Sequence, residues 1–167
     1  GATNTRQDTM AVYKQSDLSL LKQFEPGVVP HARDVVVDEG NGRVYASTSF
    51  GPDLMVFDAK TLEQLPSIHI PTEARGETFG AMALDLDAKH GKLATVSYNT
   101  PEAAIIDLKS GAVKVIELPR AKIASGVAFD AQDNLLFIVS QDTDNLLIVN
   151  AETGETLHDV EPGATPL

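Results

Sequence analysis

The sequence predicts an all-β protein, a β-propeller built of four-stranded antiparallel blades, on three observations. The stretch VVVDEGNGRVYAS, Val35 to Ser47, is written again in similar form from Met82 and from Val127. The third apolar run of each copy closes on Asp58, Asp107 and Asn150, about 49 and 43 residues apart, within the roughly 40 to 50 that marks propeller blades. Finally, apolar residues never recur at helical spacing over any sustained stretch, and Gly, Asn and Asp punctuate the runs.

In chain order, residues 1–27 read as half a blade. MAVYKQSDLSLL lies over LMVFDAKTLEQL, with Lys14 where Asp58 sits, so the third and fourth strands are expected and the first two are expected to be missing. Residues 28–72, 73–120 and 121–160 each read as a full blade. Their first strands, RDVVVD, GAMALD and SGVAFD, end at Asp38, Asp85 and Asp130. After the turns EGNG, LDAKHG and AQDN come second strands RVYAS, KLATVS and LLFIVS, all closing on serine, and then the third strands DLMVFD, EAAIID and NLLIVN. A tight turn and a fourth strand follow each. EPGATPL, residues 161–167, echoes the EPGVVPH before the first full blade and reads as the lead-in to another. About three and a half blades do not close a ring of the usual 4 to 8. The expectation is an interior segment of a longer protein, or one of several pieces that assemble, with the remaining blades supplied by the rest of the protein or by another chain.

The pattern has a physical cause. A blade is covered by neighbours on both faces, so its inner strands read as near-continuous apolar runs such as VVV, MAL and VAF. The outermost strand meets water and alternates, as in TLEQLPSIHI and ETLHDV. One blade alone keeps two apolar faces, which stacking removes. The repeated Asp or Asn before the last turn accepts hydrogen bonds from backbone amides just ahead, and Gly111 and Gly154 supply the positive backbone angle such turns use. These acids are read as structural.

The chain has 167 residues and a formal charge of -11, from 13 Lys and Arg against 24 Asp and Glu. That balance argues against a sequence-independent grip on nucleic-acid phosphate. Cysteine is absent, which excludes disulfides, thiolate metal ligands and a cysteine nucleophile. No apolar run approaches the roughly 20 residues that span a bilayer as a helix.

The order PHARDVVVDEGNGRVYASTSFGPDLMVFDAKTLEQL, with VYAS, FIVS, IIDLKSG and IVNAETG, resembles the YVTN-type β-propeller repeat. The similar group is that of the YncE-like bacterial periplasmic proteins, related to surface-layer and lactonase-like propellers. The resemblance covers essentially the whole chain and implies a seven-bladed ring in a periplasmic or exported protein. The second strands depart from a strict YVTN, and no Trp-Asp pair or Gly-His signature points to a WD40 repeat.

In a propeller, the loop before the first strand and the loop between the second and third strands share one face, the usual binding face. Here they carry His31 and Arg33; Arg75, Glu77 and Thr78; Lys122 and Ser125; Thr48, Ser49 and Asp53; Tyr98 and Asn99; and Gln141, Asp142 and Asp144. Arg33, Arg75, Lys122 and His31 on one rim make a local anion site against an acidic background, and Tyr98 adds an aromatic contact. The ligand-binding candidates are therefore His31, Arg33, Arg75, Tyr98 and Lys122, in a non-enzymatic scaffold that presents a loop face to a protein, a glycan or a small anion.

Two alternatives use the same face. A lactonase-like metal-dependent hydrolase needs Asp53, Asn99, Asp142 and Asp144 to converge on the axis. Single-stranded nucleic-acid binding needs stacking on Tyr98 or Phe50, which 5% aromatic content and the net charge disfavour. DLDAKHG begins like a calcium loop but lacks the third acid, and Val96 stands where the bidentate glutamate belongs, so it reads as a turn. The four histidines are dispersed, and no HExxH, GxSxG, phosphate loop or dinucleotide fingerprint occurs. No catalytic residue, metal or cofactor is assigned.

Overall fold

The chain is an all-β propeller fold of antiparallel sheets stacked face to face. Its structure, a computed structural model, describes residues 2–4, 9–71, 77–118, 121 and 123–161, with no helix among them. Sheet 1 holds β1 (Ala2–Asn4), β2 (Thr9–Tyr13) and β3 (Leu20–Gln23). Sheet 2 holds β4 (Val35–Asp38), β5 (Arg43–Ala46), β6 (Asp53–Asp58) and β7 (Gln64–His69). Sheet 3 holds β8 (Ala81–Asp87), β9 (Lys92–Ser97), β10 (Glu102–Asp107) and β11 (Val113–Glu117). Sheet 4 holds β12 (Ala124–Asp130), β13 (Leu135–Ser140), β14 (Asn145–Asn150) and β15 (Thr156–Val160). Each is a meander in which consecutive strands pair.

Sheet 1 has three strands where residues 1–27 led us to expect two. Ala2 pairs with Ala11, Thr3 with Met10 and Asn4 with Thr9. The segment ATN is too short and too polar to show as a strand in the sequence; it is held by its neighbour's backbone rather than by an apolar pattern of its own. The EPGATPL reading, apart from Glu161, falls on residues 162–167, outside the described residues.

Pairing also corrects the register of the repeat. Asp87, not Asp85, is the partner of Asp38 and Asp130, because Asp38 pairs with Arg43, Asp87 with Lys92 and Asp130 with Leu135 at the ends of the first hairpins. Asp38 Oδ1 accepts from the Asn41 amide and Asp87 Oδ1 from the His90 amide, both at 3.1 Å, while Asp130 Oδ1 accepts from Gln132 at 2.9 Å. Counted from these residues, the hydroxyls closing the second strands are Thr48, Ser97 and Ser140, and Ser47 stands one place early. DLDAKHG is a hairpin turn in which His90 Nδ1 lies 2.6 Å from Asp87.

The turns after the third strands match one another closely. Asp58 Oδ1 accepts from the amides of Lys60 and Thr61, Asp107 Oδ1 from Lys109 and Ser110, and Asn150 Oδ1 from Glu152 and Thr153, all between 2.7 and 3.0 Å. Four residues on, Leu62, Gly111 and Gly154 take positive φ and their amides return to the carbonyls of Asp58, Asp107 and Asn150. Leu18 does the same with Lys14, which places the first segment's turn in the same series.

Three apolar clusters fill the gaps between sheets. Met10, Phe24, Val29, Ala46 and Phe57 join sheets 1 and 2; Tyr45, Leu54, Phe79, Leu84, Leu93 and Ile106 join sheets 2 and 3; Val96, Ile105, Leu136, Ile138, Leu147 and Val149 join sheets 3 and 4. Side chains alternate between these gaps along each strand, so Leu93 and Ala94 of β9 serve different clusters. A central strand such as LATV is then buried at every position, Thr95 included. The first strands lie innermost, with β8 beside both β4 and β12.

Candidate functional site

The loops at one end of sheets 2 and 3 enclose an open cleft of about 330 Å³ lined by His31, Arg33, Ser49, Phe50, Met82 and Tyr98. Three of the five sequence candidates, His31, Arg33 and Tyr98, therefore meet. Arg75 and Lys122 lie outside the described residues.

Each wall is positioned by backbone. His31 precedes β4 and takes a positive φ of 50°, and Ser49, in the β5–β6 loop, takes 56°. Such angles are uncommon for residues with a Cβ and persist only where the surroundings hold them. Here the Ser49 hydroxyl donates to the His31 carbonyl at 2.9 Å, and the Ser49 amide donates to the Ala81 carbonyl of sheet 3 at 2.7 Å. Buried Ser47 adds a second tie between the sheets, donating through Oγ to the Met82 carbonyl at 2.5 Å. On the sheet 3 side, Asn99 Nδ2 donates to the carbonyls of Phe50 (3.2 Å) and Thr78 (3.1 Å). Gly80 permits this close approach: a Cβ there would lie 2.5 Å from the Ser49 carbonyl oxygen.

These ties hold three rings in a row. His31 and Phe50 meet edge to face at 5.2 Å between centroids, and Phe50 and Tyr98 at 5.3 Å. Phe50 is 51% and Tyr98 41% exposed. Phe50 belongs to the loop face, yet it entered the sequence reading only as a stacking alternative to Tyr98. Its central place depends on the positive φ of Ser49, which no local sequence pattern announces. A second cleft of about 260 Å³, lined by Pro30, His31, Thr48, Phe50, Gly51, Asp53 and Met55, lies across the same two rings. The His31–Phe50 pair is thus a wall shared by two clefts.

The acids and amides weighed as metal ligands are spent elsewhere or apart. Asp53 lies 2.8 Å from His69 Nδ1 on the outer strand β7, Asn99 bridges two carbonyls, and Asp142 and Asp144 belong to the β13–β14 loop of sheet 4. No three His, Asp or Glu side chains gather as a cation site among the described residues. The loop's other polar side chains build the sheet: Thr100 Oγ1 lies 2.8 Å from Ser97 Oγ and 2.7 Å from Glu102. In sheet 4, Thr143 lies 2.7 Å from Ser140 and 2.6 Å from Asn145. These nodes brace the start of the third strand at the rim.

No family model and no curated protein matches the sequence. Among solved structures, the chain is similar to one in the crystal structure of a nidogen/laminin complex, a β-propeller-containing structure, with a TM-score of 0.71 at 17% identity. The match covers 96% of this chain and 58% of that one. At this identity the likeness shows the fold.

Proposed function

We propose that the protein is a non-enzymatic binding β-propeller whose loop face takes a protein, glycan or small anionic ligand. The observation that carries this reading is the cleft between sheets 2 and 3. Two exposed aromatic rings, Phe50 and Tyr98, stand beside Arg33 and are held in place by hydrogen bonds that cross between sheets. Preorganised aromatics next to a cation are what recurrent binding anchors look like. Arg75 and Lys122 extend the cationic rim in this reading. The YVTN-type resemblance supports a seven-bladed ring completed by further blades, and a periplasmic or exported setting.

The test is a binding screen of the purified chain by NMR shift perturbation against acidic peptides, uronic-acid oligosaccharides and inorganic phosphate. Binding by one of these classes is expected, with shifts at the cleft and affinity about thirtyfold weaker in Tyr98→Ala, the size of a strong anchor. Charge reversal at Arg33 or Arg75 weakens an anionic ligand and flattens its salt dependence. Affinity unchanged by Tyr98→Ala and Arg33→Glu would remove this face from the account. A salt slope of several units for an oligonucleotide would replace it with single-strand binding.

A further inference from the structure

The two clefts of the loop face carry opposite charge, and one thin wall divides them. The larger, on the sheet 3 side, holds Arg33 beside the Tyr98 ring. The smaller combines the apolar side chains of Pro30, Phe50 and Met55 with the carboxylate of Asp53.

Strand β6 sets this division. Asp53 and Met55 are two residues apart in an extended strand, so they project from one face of the sheet. Met55 packs toward the cluster between sheets 1 and 2, and Leu54 into that between sheets 2 and 3. Asp53 is thereby kept on the side away from Tyr98. Its place is fixed twice: His69, opposite it in the β6–β7 ladder, holds the carboxylate through Nδ1 at 2.8 Å, and Thr48 Oγ1 donates to its carbonyl at 3.0 Å.

The wall itself is the His31–Phe50 pair, with 5.2 Å between ring centroids. The carbonyls of both residues are engaged within the protein, that of His31 by the Ser49 hydroxyl and that of Phe50 by the Asn99 amide. A ligand that crosses the wall therefore meets the rings. Side chains on one face of an extended peptide recur about every 7 Å, a step that clears a single ring pair. A small anion fills one cleft only, and a uronic sugar carries no long arm of opposite charge. A peptide supplies both.

We propose that the loop face takes an extended peptide segment of a partner protein, carrying an acidic and a long basic side chain two residues apart. The acid enters on the Arg33 side of the His31–Phe50 wall and the base on the Asp53 side. The base lays its methylenes along Pro30, Phe50 and Met55 and brings its cation to Asp53, while Arg33 takes the peptide's carboxylate. Asp53 sets the direction of binding, because a second acid in its cleft meets like charge. This peptide specificity rests on the loop face being a binding surface, and the two are tested apart.

The probes are acetyl-Ala-Asp-Ala-Lys-Ala-amide and its reverse order, acetyl-Ala-Lys-Ala-Asp-Ala-amide, beside the lysine-free acetyl-Ala-Asp-Ala-Ala-Ala-amide and inorganic phosphate. Each is titrated into the 167-residue chain and followed by NMR shift perturbation. One of the two lysine peptides is expected to bind saturably and about tenfold tighter than the lysine-free one, the scale of one bond to a charged partner, shifting Tyr98 and Met55 together. In Asp53→Asn, which keeps an acceptor for His69, that preference is expected to fall to about one, read as a double-mutant cycle on a chain of unchanged unfolding midpoint. Placing Lys directly after Asp turns the two to opposite sides of the peptide and is expected to lose the same preference on the parent chain. Equal binding of the lysine and lysine-free peptides, a preference that persists in Asp53→Asn, or one indifferent to the spacing would overturn the peptide assignment. If phosphate or the lysine-free peptide then still shifts Tyr98, the loop face remains a binding surface; if no probe shifts it, both readings fall.

Discussion

Asp58, Asp107 and Asn150 occupy one position in three sheets and perform one task, accepting two backbone amides of the turn that follows. The amides of Thr61 and Lys60 hold the Asp58 carboxyl below the ordinary carboxylate range, and the Ser110 amide and hydroxyl do the same for Asp107. A carboxyl that ionises more readily folded than unfolded contributes stability above its unfolded pKa, about 4, and loses it as pH falls through the lower folded value. Between those values the unfolded chain binds more protons, so stability rises with pH. Asn150 shows that a neutral amide fills the same place. The double variant Asp58→Asn, Asp107→Asn is therefore expected to lose less stability than the parent on acidification below about pH 4, read from urea midpoints across pH. Parallel curves would mean that these carboxylates do not carry the acid response. This task was legible in the sequence because it is local: acceptor and donors lie within three residues. Asp85 was misassigned for the opposite reason, since its partner, the Phe129 amide, is 44 residues away.

At the level of elements, the turn after each third strand carries a left-handed residue, and the chain fills it unequally. Gly111 and Gly154 adopt it without strain, whereas Leu18 (φ 57°) and Leu62 (φ 58°) hold a side chain there, which costs about 1 kcal/mol. Leu62 is compensated because it packs against the cluster of Met10, Phe24 and Phe57; Leu18 is 75% exposed. Leu18→Gly is expected to raise stability by about 0.5 to 1 kcal/mol, and Leu62→Gly to lower it, both measured by equilibrium unfolding. A loss in Leu18→Gly would show that its side chain makes a contact outside this turn. Strands with apolar runs were legible, and so was their order. What misled was alignment by final serine: RVYAS is one residue shorter than KLATVS and LLFIVS, and only pairing reveals that Thr48 stands with Ser97 and Ser140.

At the scale of the molecule, exposed large apolar side chains among the described residues fall in three places. Tyr13, Leu18, Leu20 and Leu21, with Val37 beside them, lie at the sheet 1 end; Val139, Leu157 and Val160 lie on sheet 4; Phe50 and Tyr98 lie in the cleft. Sheet 3, packed on both sides, shows only Tyr98. Val139 corresponds to Val96, which is fully buried between sheets 3 and 4, yet Val139 is 45% exposed on the outward face of sheet 4. An exposed apolar sheet face favours association. The double variant Val139→Lys, Val160→Lys is expected to reduce hydrophobic-dye binding and concentration-dependent association, with stability changed by less than about 0.5 kcal/mol. Association equal to the parent's, by light scattering, would show that this face is not the adhesive one.

The amino-acid sequence alone determined the repeat, the strand order, the turn chemistry and the loop face that holds His31, Arg33 and Tyr98. Each of these follows from residues close in the chain, where apolar runs and Asp, Asn and Gly act on their own neighbourhood. Only the tertiary structure decided that β1 joins sheet 1, the register of Asp87 and Thr48, the central place of Phe50 and the exposed flank of β4. Those depend on which backbone groups of different sheets come within hydrogen-bonding reach, as Ser49 does with Ala81 and Asp34 with Leu84, and contact across a stack leaves no periodic trace along the chain.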